Sequence, residues 1–202
     1  MFVIKAKVCC SIQFNCKYYL CLPIDNDINL NDNQMDRYFL IGFMGSGKTT
    51  IGKIVSERTG YKFIDMDELI ESREHESVSC IFATRGEEYF RNLERDYLHE
   101  LSEQEHVIIA TGGGVPCFFD NMDYMNSVGC TIYLKFSPEQ LKRRLELCDP
   151  TTRPLLTKRK GDDLLRYIKD TLVLREPYYS RASCIVEGDD CTIAEQVIAL
   201  LA

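Results

Sequence analysis

Residues 42–49 read Gly-Phe-Met-Gly-Ser-Gly-Lys-Thr and constrain the fold of this chain more than any other feature. They fit the pattern G-x-x-x-x-G-K-[ST], follow an apolar run at 37–41 and open a stretch with helical periodicity. Glycines in such a loop let successive backbone N–H groups point at phosphate oxygens, and the next helix adds its positive dipole end. The alternative is a glycine turn that fits the pattern by chance, but such a turn would not need an apolar run before it and helical periodicity after it. The motif therefore predicts a strand, a phosphate-binding loop and a helix.

The rest of the chain alternates apolar strands with amphipathic helices. The predicted strands cover 37–41, 61–64, 106–110, 131–136 and 183–186, and the predicted helices cover 48–59, 67–74, 87–101, a stretch opened by Pro138, 162–179 and 193–201. This alternation predicts a three-layer α/β/α fold with a five-stranded parallel sheet. In such sheets ligands gather beyond the carboxyl ends of the strands. Residues 148–161 lack periodicity and are rich in Lys, Arg and Pro, so we expect a mobile, basic lid there.

Composition narrows the class of protein. The chain has 202 residues and a net charge of −7, and this acidic balance argues against a nucleic-acid partner. Residues 8–16, the longest uncharged run of the N-terminal segment, are too short to span a membrane. We expect residues 1–35 to be a poorly ordered extension without a catalytic role, with a targeting or partner-binding segment as the alternative. Residues 36–202 form the predicted catalytic domain.

Ten cysteines carry no C-x-x-C spacing, which disfavours a zinc ribbon or a dithiol redox site. We expect reduced thiols in a cytoplasmic protein, and a secreted disulfide protein is the rival interpretation. Cys80 and Cys130 lie in apolar runs and are predicted to be small core residues.

The loop itself predicts an ATP and Mg²⁺ site. Lys48 is expected to reach the β- and γ-phosphates, and the Thr49 hydroxyl to ligate Mg²⁺. The predicted nucleotide contacts are Gly45, Ser46, Gly47, Lys48, Thr49 and Thr50.

Three further features follow later in the chain. Asp65 and Asp67 follow the second predicted strand, and residues i and i+2 of an extended segment face the same side, so both can point into the cleft. One carboxylate can then serve Mg²⁺, and the other can accept a proton from a substrate hydroxyl. The alternative for Asp67 is a helix N-cap. Residues 112–114 are three glycines that let a ligand approach the backbone. Finally, the arginines available to bind an anionic substrate are Arg91, Arg153 and Arg175.

From about Asp36 to the C-terminus the motifs resemble the shikimate kinase family. In order, they are the loop at 42–49, the Asp-x-Asp pair at 65–67, Phe-Arg-x-x-Glu at 90–94, Gly-Gly-Gly at 112–114, Arg-Pro-Leu-Leu at 153–156 and Arg-x-x-Tyr at 175–178. Members often carry a basic residue early in the lid segment that stacks on adenine. Glu146 and its neighbours occupy that stretch here, and Arg143 or Arg144 is the nearest candidate.

The resemblance implies transfer of the γ-phosphoryl group of ATP to the 3-hydroxyl of shikimate by a monomeric cytoplasmic enzyme. It implies the following roles: Asp67 as base or orienter of the ring hydroxyls, Arg91 and Arg175 as the carboxylate clamp, Gly112, Gly113 and Gly114 as backbone contacts, Glu94 as support for the arginines, Asp65 as a Mg²⁺ residue, and Lys48 and Arg153 as stabilisers of the transferring group. The rivals are a gluconate-type or other small-metabolite kinase and a catalytically silent nucleotide-binding regulator.

Overall fold

The computed structural model describes residues 36–147, 159 and 161–201. The predicted extension at 1–35 lies outside these described residues. So does most of the expected lid, including Arg153.

Strands and helices alternate along the described chain. In order, the elements are β1 (Arg37–Ile41), α1 (Lys48–Thr59), β2 (Lys62–Asp65), α2 (Met66–Glu74), α3 (Val78–Leu101), β3 (Val107–Ala110), a 3-10 turn (Val115–Cys117), α4 (Asn121–Val128), β4 (Cys130–Lys135), α5 (Pro138–Leu147), α6 (Gly161–Tyr179), β5 (Cys184–Glu187) and α7 (Asp190–Leu201).

The five strands form one parallel sheet in the order β2-β3-β1-β4-β5, which confirms the predicted α/β class. Register pairs Phe39 of β1 with Ile109 of β3 and with Thr131 of β4. Helices α1 and α7 pack against each other. Right-handed crossovers place α3, α4 and α6 on the opposite face of the sheet. The loop at 42–49 therefore leaves the central strand, where strand order changes direction and clefts form.

The central strands supply the core. Phe39, Leu40 and Ile41 of β1 and Ile108 and Ile109 of β3 are fully buried. Continuous burial, rather than alternation, is what a parallel sheet covered on both faces requires. This core fixes the ends of β1 and β3, and hence the loops that follow them.

Helix α3 is longer than predicted and contains a break. It begins at Val78 rather than Glu87, and Gly86 interrupts it with a φ of 84° and a ψ of 171°. The predicted helix at 87–101 is the part beyond this break. The first part, residues 78–85, was not predicted, because this stretch before the glycine is too short to show a helical pattern of apolar residues. The 3-10 turn and α4 were also not predicted.

The described cysteines are free thiols: Cys80, Cys117, Cys130, Cys184 and Cys191. The expectation that Cys80 belongs to the core was wrong, because Cys80 is exposed near the start of α3, and Cys130 is only partly buried. Within the described part of the chain, no helix has the length and apolar character needed to cross a membrane.

Candidate active site

The loop after β1 has the backbone geometry of an anion site. Gly45 and Gly47 have φ values of 80° and 90°, in the left-handed region that favours glycine. Gly47 is the N-cap of α1, and no side chain caps the helix there. The first N–H groups of α1 are therefore directed outward at the carboxyl edge of the sheet, where they can bind phosphate.

Lys48 and Thr49 begin α1 on the ligand side of this loop. The Lys48 ammonium donates to the carbonyl oxygens of Gly42 at 2.8 Å and of Phe43 at 3.1 Å. The Thr49 hydroxyl donates to Asp65 Oδ2 at 2.6 Å. The structure thus brings together Thr49 and Asp65, the two residues predicted to serve Mg²⁺. Hydroxyl and carboxylate oxygens are the ligands that Mg²⁺ prefers, so the residues fit this ion.

The acidic pair has a different local geometry from the one expected. Asp65 is the N-cap of α2, and its Oδ1 accepts hydrogen bonds from the backbone N–H groups of Asp67 at 3.0 Å and Glu68 at 3.3 Å. Asp67 therefore lies in the first helical turn, not in an extended segment, and it is not the cap. The Asp67 side chain itself is exposed.

Side chains from three helices converge on the glycine turn after β3. A Cβ on Gly112 would lie 2.9 Å from Asp67 Oδ1 and 2.7 Å from Glu94 Oε1. A Cβ on Gly113 would lie 3.4 Å from Arg175 Nη1. The absence of side chains at these positions lets charged groups of both signs approach one backbone segment.

Gly114 makes the tightest of these approaches. A Cβ on Gly114 would lie only 2.5 Å from Arg91 Nη1. Asp67, Arg91 and Arg175 thus lie around the turn at 112–114, and we refer to this group of residues as the pocket. Two guanidinium groups, the exposed carboxylate of Asp67 and the buried carboxylate of Glu94 meet there, beside the phosphate loop.

Arg91 is held by both acidic and aromatic partners. Its Nη1 donates to Glu94 Oε2 at 2.6 Å, and its Nη2 donates to Glu87 Oε1 at 2.9 Å. Its guanidinium carbon lies 4.1 Å from the ring centre of Phe118 and 5.5 Å from that of Phe82. Stacking on aromatic rings and two carboxylate partners fix the orientation of the guanidinium. Apart from their apolar character, Phe118 and Phe82 carry no sequence signal that predicts this role.

Glu94 is a buried acid within this cluster. Burial raises the pKa of Glu94 to about 7, although the charge and hydrogen bond of Arg91 act in the opposite direction. The nearby charge of Asp67 adds to the increase in the pKa. Glu94 therefore holds Arg91 through a hydrogen bond that solvent does not reach.

Arg175 approaches the same turn from α6. Its guanidinium carbon lies 5.7 Å from the ring centre of Phe43 in the phosphate loop. One helical turn later, the Tyr179 hydroxyl donates to the carbonyl oxygen of Gly113 at 2.6 Å. Tyr179 is fully buried, so it anchors α6 to the glycine turn. Sequence reasoning missed this anchor.

Among the described residues, the predicted site residues lie at one edge of the sheet. Gly45, Ser46, Gly47, Lys48, Thr49 and Thr50 form the phosphate loop and the start of α1, while Asp65, Asp67, Arg91, Gly112, Gly113, Gly114 and Arg175 line the adjoining pocket. Arg153 is outside the described residues.

Known proteins resemble this chain in both sequence and fold. A family model for shikimate kinase matches residues 44–202. The chain is 53% identical over 155 residues to a shikimate kinase of Parabacteroides distasonis, covering 77% of this chain and 89% of the relative.

Two solved structures agree with this likeness. The fold matches a 1.7 Å crystal structure of shikimate kinase from Bacteroides thetaiotaomicron with a TM-score of 0.77 and 42% identity, over 82% of this chain and 97% of that one. A shikimate kinase from Acinetobacter baumannii in complex with shikimate gives a TM-score of 0.74 and 29% identity, over 83% and 93% of the two chains.

Proposed function

The chain belongs to the shikimate kinase family, and we propose that its strand-edge pocket carries out the family's reaction with the residues assigned below. The enzyme phosphorylates shikimate with ATP. The observation that carries the residue assignment is the convergence of Asp67, Arg91 and Arg175 on the glycine turn beside the phosphate loop.

The loop at 42–49 binds the phosphates of ATP. Its backbone N–H groups and the N-terminus of α1 stabilise the negative charge of the phosphate oxygens. Lys48 adds a cation at the start of the same helix and stabilises the charge that develops on the transferring group. The adjoining contacts in this assignment are Gly45, Ser46, Gly47, Thr49 and Thr50.

Arg91 and Arg175 bind the carboxylate of shikimate. Three N–H bonds of Arg91 go to Glu87 and Glu94 within the described part of the chain. A guanidinium has five N–H donors, so two remain for a ligand. Phe118 and the carboxylates fix the plane of this guanidinium, which lowers the entropy lost when the substrate binds.

Asp67 orients the 3-hydroxyl of shikimate and accepts its proton during phosphoryl transfer. The close approach of its Oδ1 to Gly112, 2.9 Å from the position of an added Cβ, supports this role. The backbone of the turn at 112–114 contacts the ring hydroxyls. Phosphoryl transfer requires little covalent chemistry from the protein, so positioning and charge stabilisation account for most of the rate.

Thr49 and Asp65 would hold Mg²⁺, which neutralises phosphate charge when it is bound. The 2.6 Å hydrogen bond between them places the two oxygens side by side at the start of α1. Arg153, in the proposed lid, is assigned to stabilise the transferring group and to contact the nucleotide.

We propose that the enzyme acts as a monomer, since the assigned roles require no residue of a second copy. We also propose a cytoplasmic location, with which the free thiols among the described residues agree. The extension at 1–35 is proposed to have no catalytic role, since each assigned residue lies at or after Gly45.

A coupled assay of ADP release tests this function. We expect turnover with shikimate and none above background with gluconate or nucleoside monophosphates. Greater activity with gluconate would support the gluconate-type rival. ATP binding without shikimate-dependent turnover would support the silent regulator.

A further inference from the structure

Arg144 connects the phosphate loop to two helices that flank it. Its Nε donates to the carbonyl oxygen of Gly45 at 2.7 Å. Its Nη1 and Nη2 donate to the two carboxylate oxygens of Asp190 at 2.7 Å and 3.2 Å. One guanidinium therefore links α5, the loop and the first residue of α7.

The surroundings leave this guanidinium little freedom. Its carbon lies 4.8 Å from the ring centre of Phe136, at the end of β4. A Cβ on Gly47 would lie 2.7 Å from Arg144 Nη2, so the loop lies directly against the arginine. A bidentate arginine–carboxylate pair has a defined geometry. Here that geometry is fixed by Asp190 on one side and by Phe136 on another.

The contact falls on a peptide unit whose orientation determines the shape of the loop. The Gly45 carbonyl is held by Arg144, and the N–H of the same peptide, on Ser46, donates to the carbonyl of Phe43 at 3.1 Å. A planar peptide bonded at both its C=O and its N–H cannot rotate without breaking both hydrogen bonds. The next residue is Gly47, the N-cap of α1.

We propose that Arg144, together with Asp190, is a positioning residue for the phosphate site. It prevents rotation of the peptide between Gly45 and Ser46, and so keeps the adjoining loop amides and the N-terminus of α1 directed at the nucleotide phosphates. This role differs from the contact with adenine for which the sequence made Arg144 a candidate. It rests on the proposed function only in taking ATP as the ligand of the loop.

The test measures nucleotide binding without shikimate. Arg144→Lys keeps the positive charge but cannot bond Gly45 and both Asp190 oxygens in one plane. Titration calorimetry is expected to give a Kd for ATP raised by on the order of tenfold, the usual effect of losing one charge-assisted hydrogen bond. Asp190→Asn should shift the Kd in the same direction by a smaller factor. It also serves as the second variant if Arg144→Lys does not fold.

A matched control exists at the other end of α1. Arg58 and Glu195 form a second bidentate pair, which joins α1 to α7 on the exposed surface. Arg58→Lys removes the same kind of contact without touching the loop. It should leave the Kd for ATP unchanged.

Two further readouts separate positioning from a general structural role. The KM for shikimate, measured at saturating ATP, should be the same in Arg144→Lys as in the wild type. The KM for ATP, measured at saturating shikimate, should rise. The inhibition constant of AMP, which lacks the β- and γ-phosphates, should change less than the Kd for ATP.

An unchanged Kd for ATP in both variants would overturn the proposal, and so would an equal loss of AMP and ATP affinity, which would place the arginine against the base. If shikimate turnover is absent from the wild-type chain while the ATP effect is present, the proposed substrate fails and this inference stands.

Discussion

Arg91 Nη1 donates to Glu94 Oε2 at 2.6 Å, and only 2% of the Glu94 side chain is exposed. This hydrogen bond connects a cation of the proposed substrate site to an acid that solvent does not reach. Both side chains lie next to the glycine turn. The protonation state of Glu94 therefore affects both the stability of the domain and the position of Arg91.

The first prediction concerns pH and Glu94. Burial raises its pKa to about 7 from an ordinary value of 4.5, so the folded state binds this proton more tightly than the unfolded chain. The resulting stabilisation is present below pH 4.5 and is lost as pH rises through about 7. Relative to Glu94→Gln, the wild type should lose on the order of 3 kcal/mol of unfolding free energy across this window.

Urea unfolding of the wild type and of Glu94→Gln at several pH values across this window measures the difference in unfolding free energy. Glu87→Gln is the control, because it removes an exposed carboxylate from the same arginine and leaves Glu94 buried. An unfolding free energy whose pH dependence is the same in Glu94→Gln as in the wild type would contradict the prediction.

The second prediction uses the close approach at Gly114. In Gly114→Ala the added methyl group would lie 2.5 Å from Arg91 Nη1, and the guanidinium cannot move without losing Phe118 or its carboxylate partners. We expect kcat/KM for shikimate to fall by roughly tenfold to a hundredfold, with the Kd for ATP unchanged. In an Arg91→Lys background, Gly114→Ala should lower kcat/KM for shikimate by a much smaller factor. If the two substitutions instead lower kcat/KM independently, so that their effects multiply, Gly114→Ala does not act by displacing the arginine.

The third prediction concerns Lys48. Lys48→Ala removes the cation at the start of α1 and should lower kcat by roughly a hundredfold to a thousandfold or more, which is loss of measurable turnover in a standard ADP-release assay. Lys53→Ala is the control on the same helix, since Lys53 is half-exposed and, within the described residues, forms an ion pair with exposed Glu68. Retained turnover in Lys48→Ala would remove the assignment of the phosphate loop.

The sequence predicted the parts of the fold that depend on local pattern. The strand before the loop, the loop itself and α1 follow from neighbouring residues, because glycine spacing and helical periodicity are properties of adjacent positions. The residues of the pocket were predicted through motif order. How Asp67 would be oriented was not predicted correctly, because it depends on Asp65 capping α2, an event at the boundary between two elements.

Contacts between distant residues were beyond this reasoning. Arg144 and Gly45 are 99 positions apart, and nothing in either local pattern points to the other. The stacking of Phe118 on Arg91 depends likewise on how the 3-10 turn packs against α3. A run of apolar residues predicts burial, but it does not say which partner will be buried with it.

The fourth prediction concerns Arg153 in the proposed lid. Arg153→Ala should lower kcat by on the order of a hundredfold, as removal of other cationic stabilisers of a transition state does. The KM for shikimate should change little, because the proposed carboxylate clamp, Arg91 and Arg175, is intact. Near-normal turnover in this variant would show that Arg153 does not stabilise the transferring group.

The fifth prediction concerns Asp67, which lies exposed beside Gly112. Asp67→Asn keeps the size of the side chain and can still bond a hydroxyl, but it cannot accept a proton. We therefore expect kcat to fall by roughly a hundredfold to ten-thousandfold, with a smaller change in the Kd for shikimate. Glu68→Gln changes the next residue of the same helical turn and should leave both values near those of the wild type. If Asp67→Asn instead weakened shikimate binding and left kcat intact, Asp67 would serve to hold the substrate and another group would have to accept the proton.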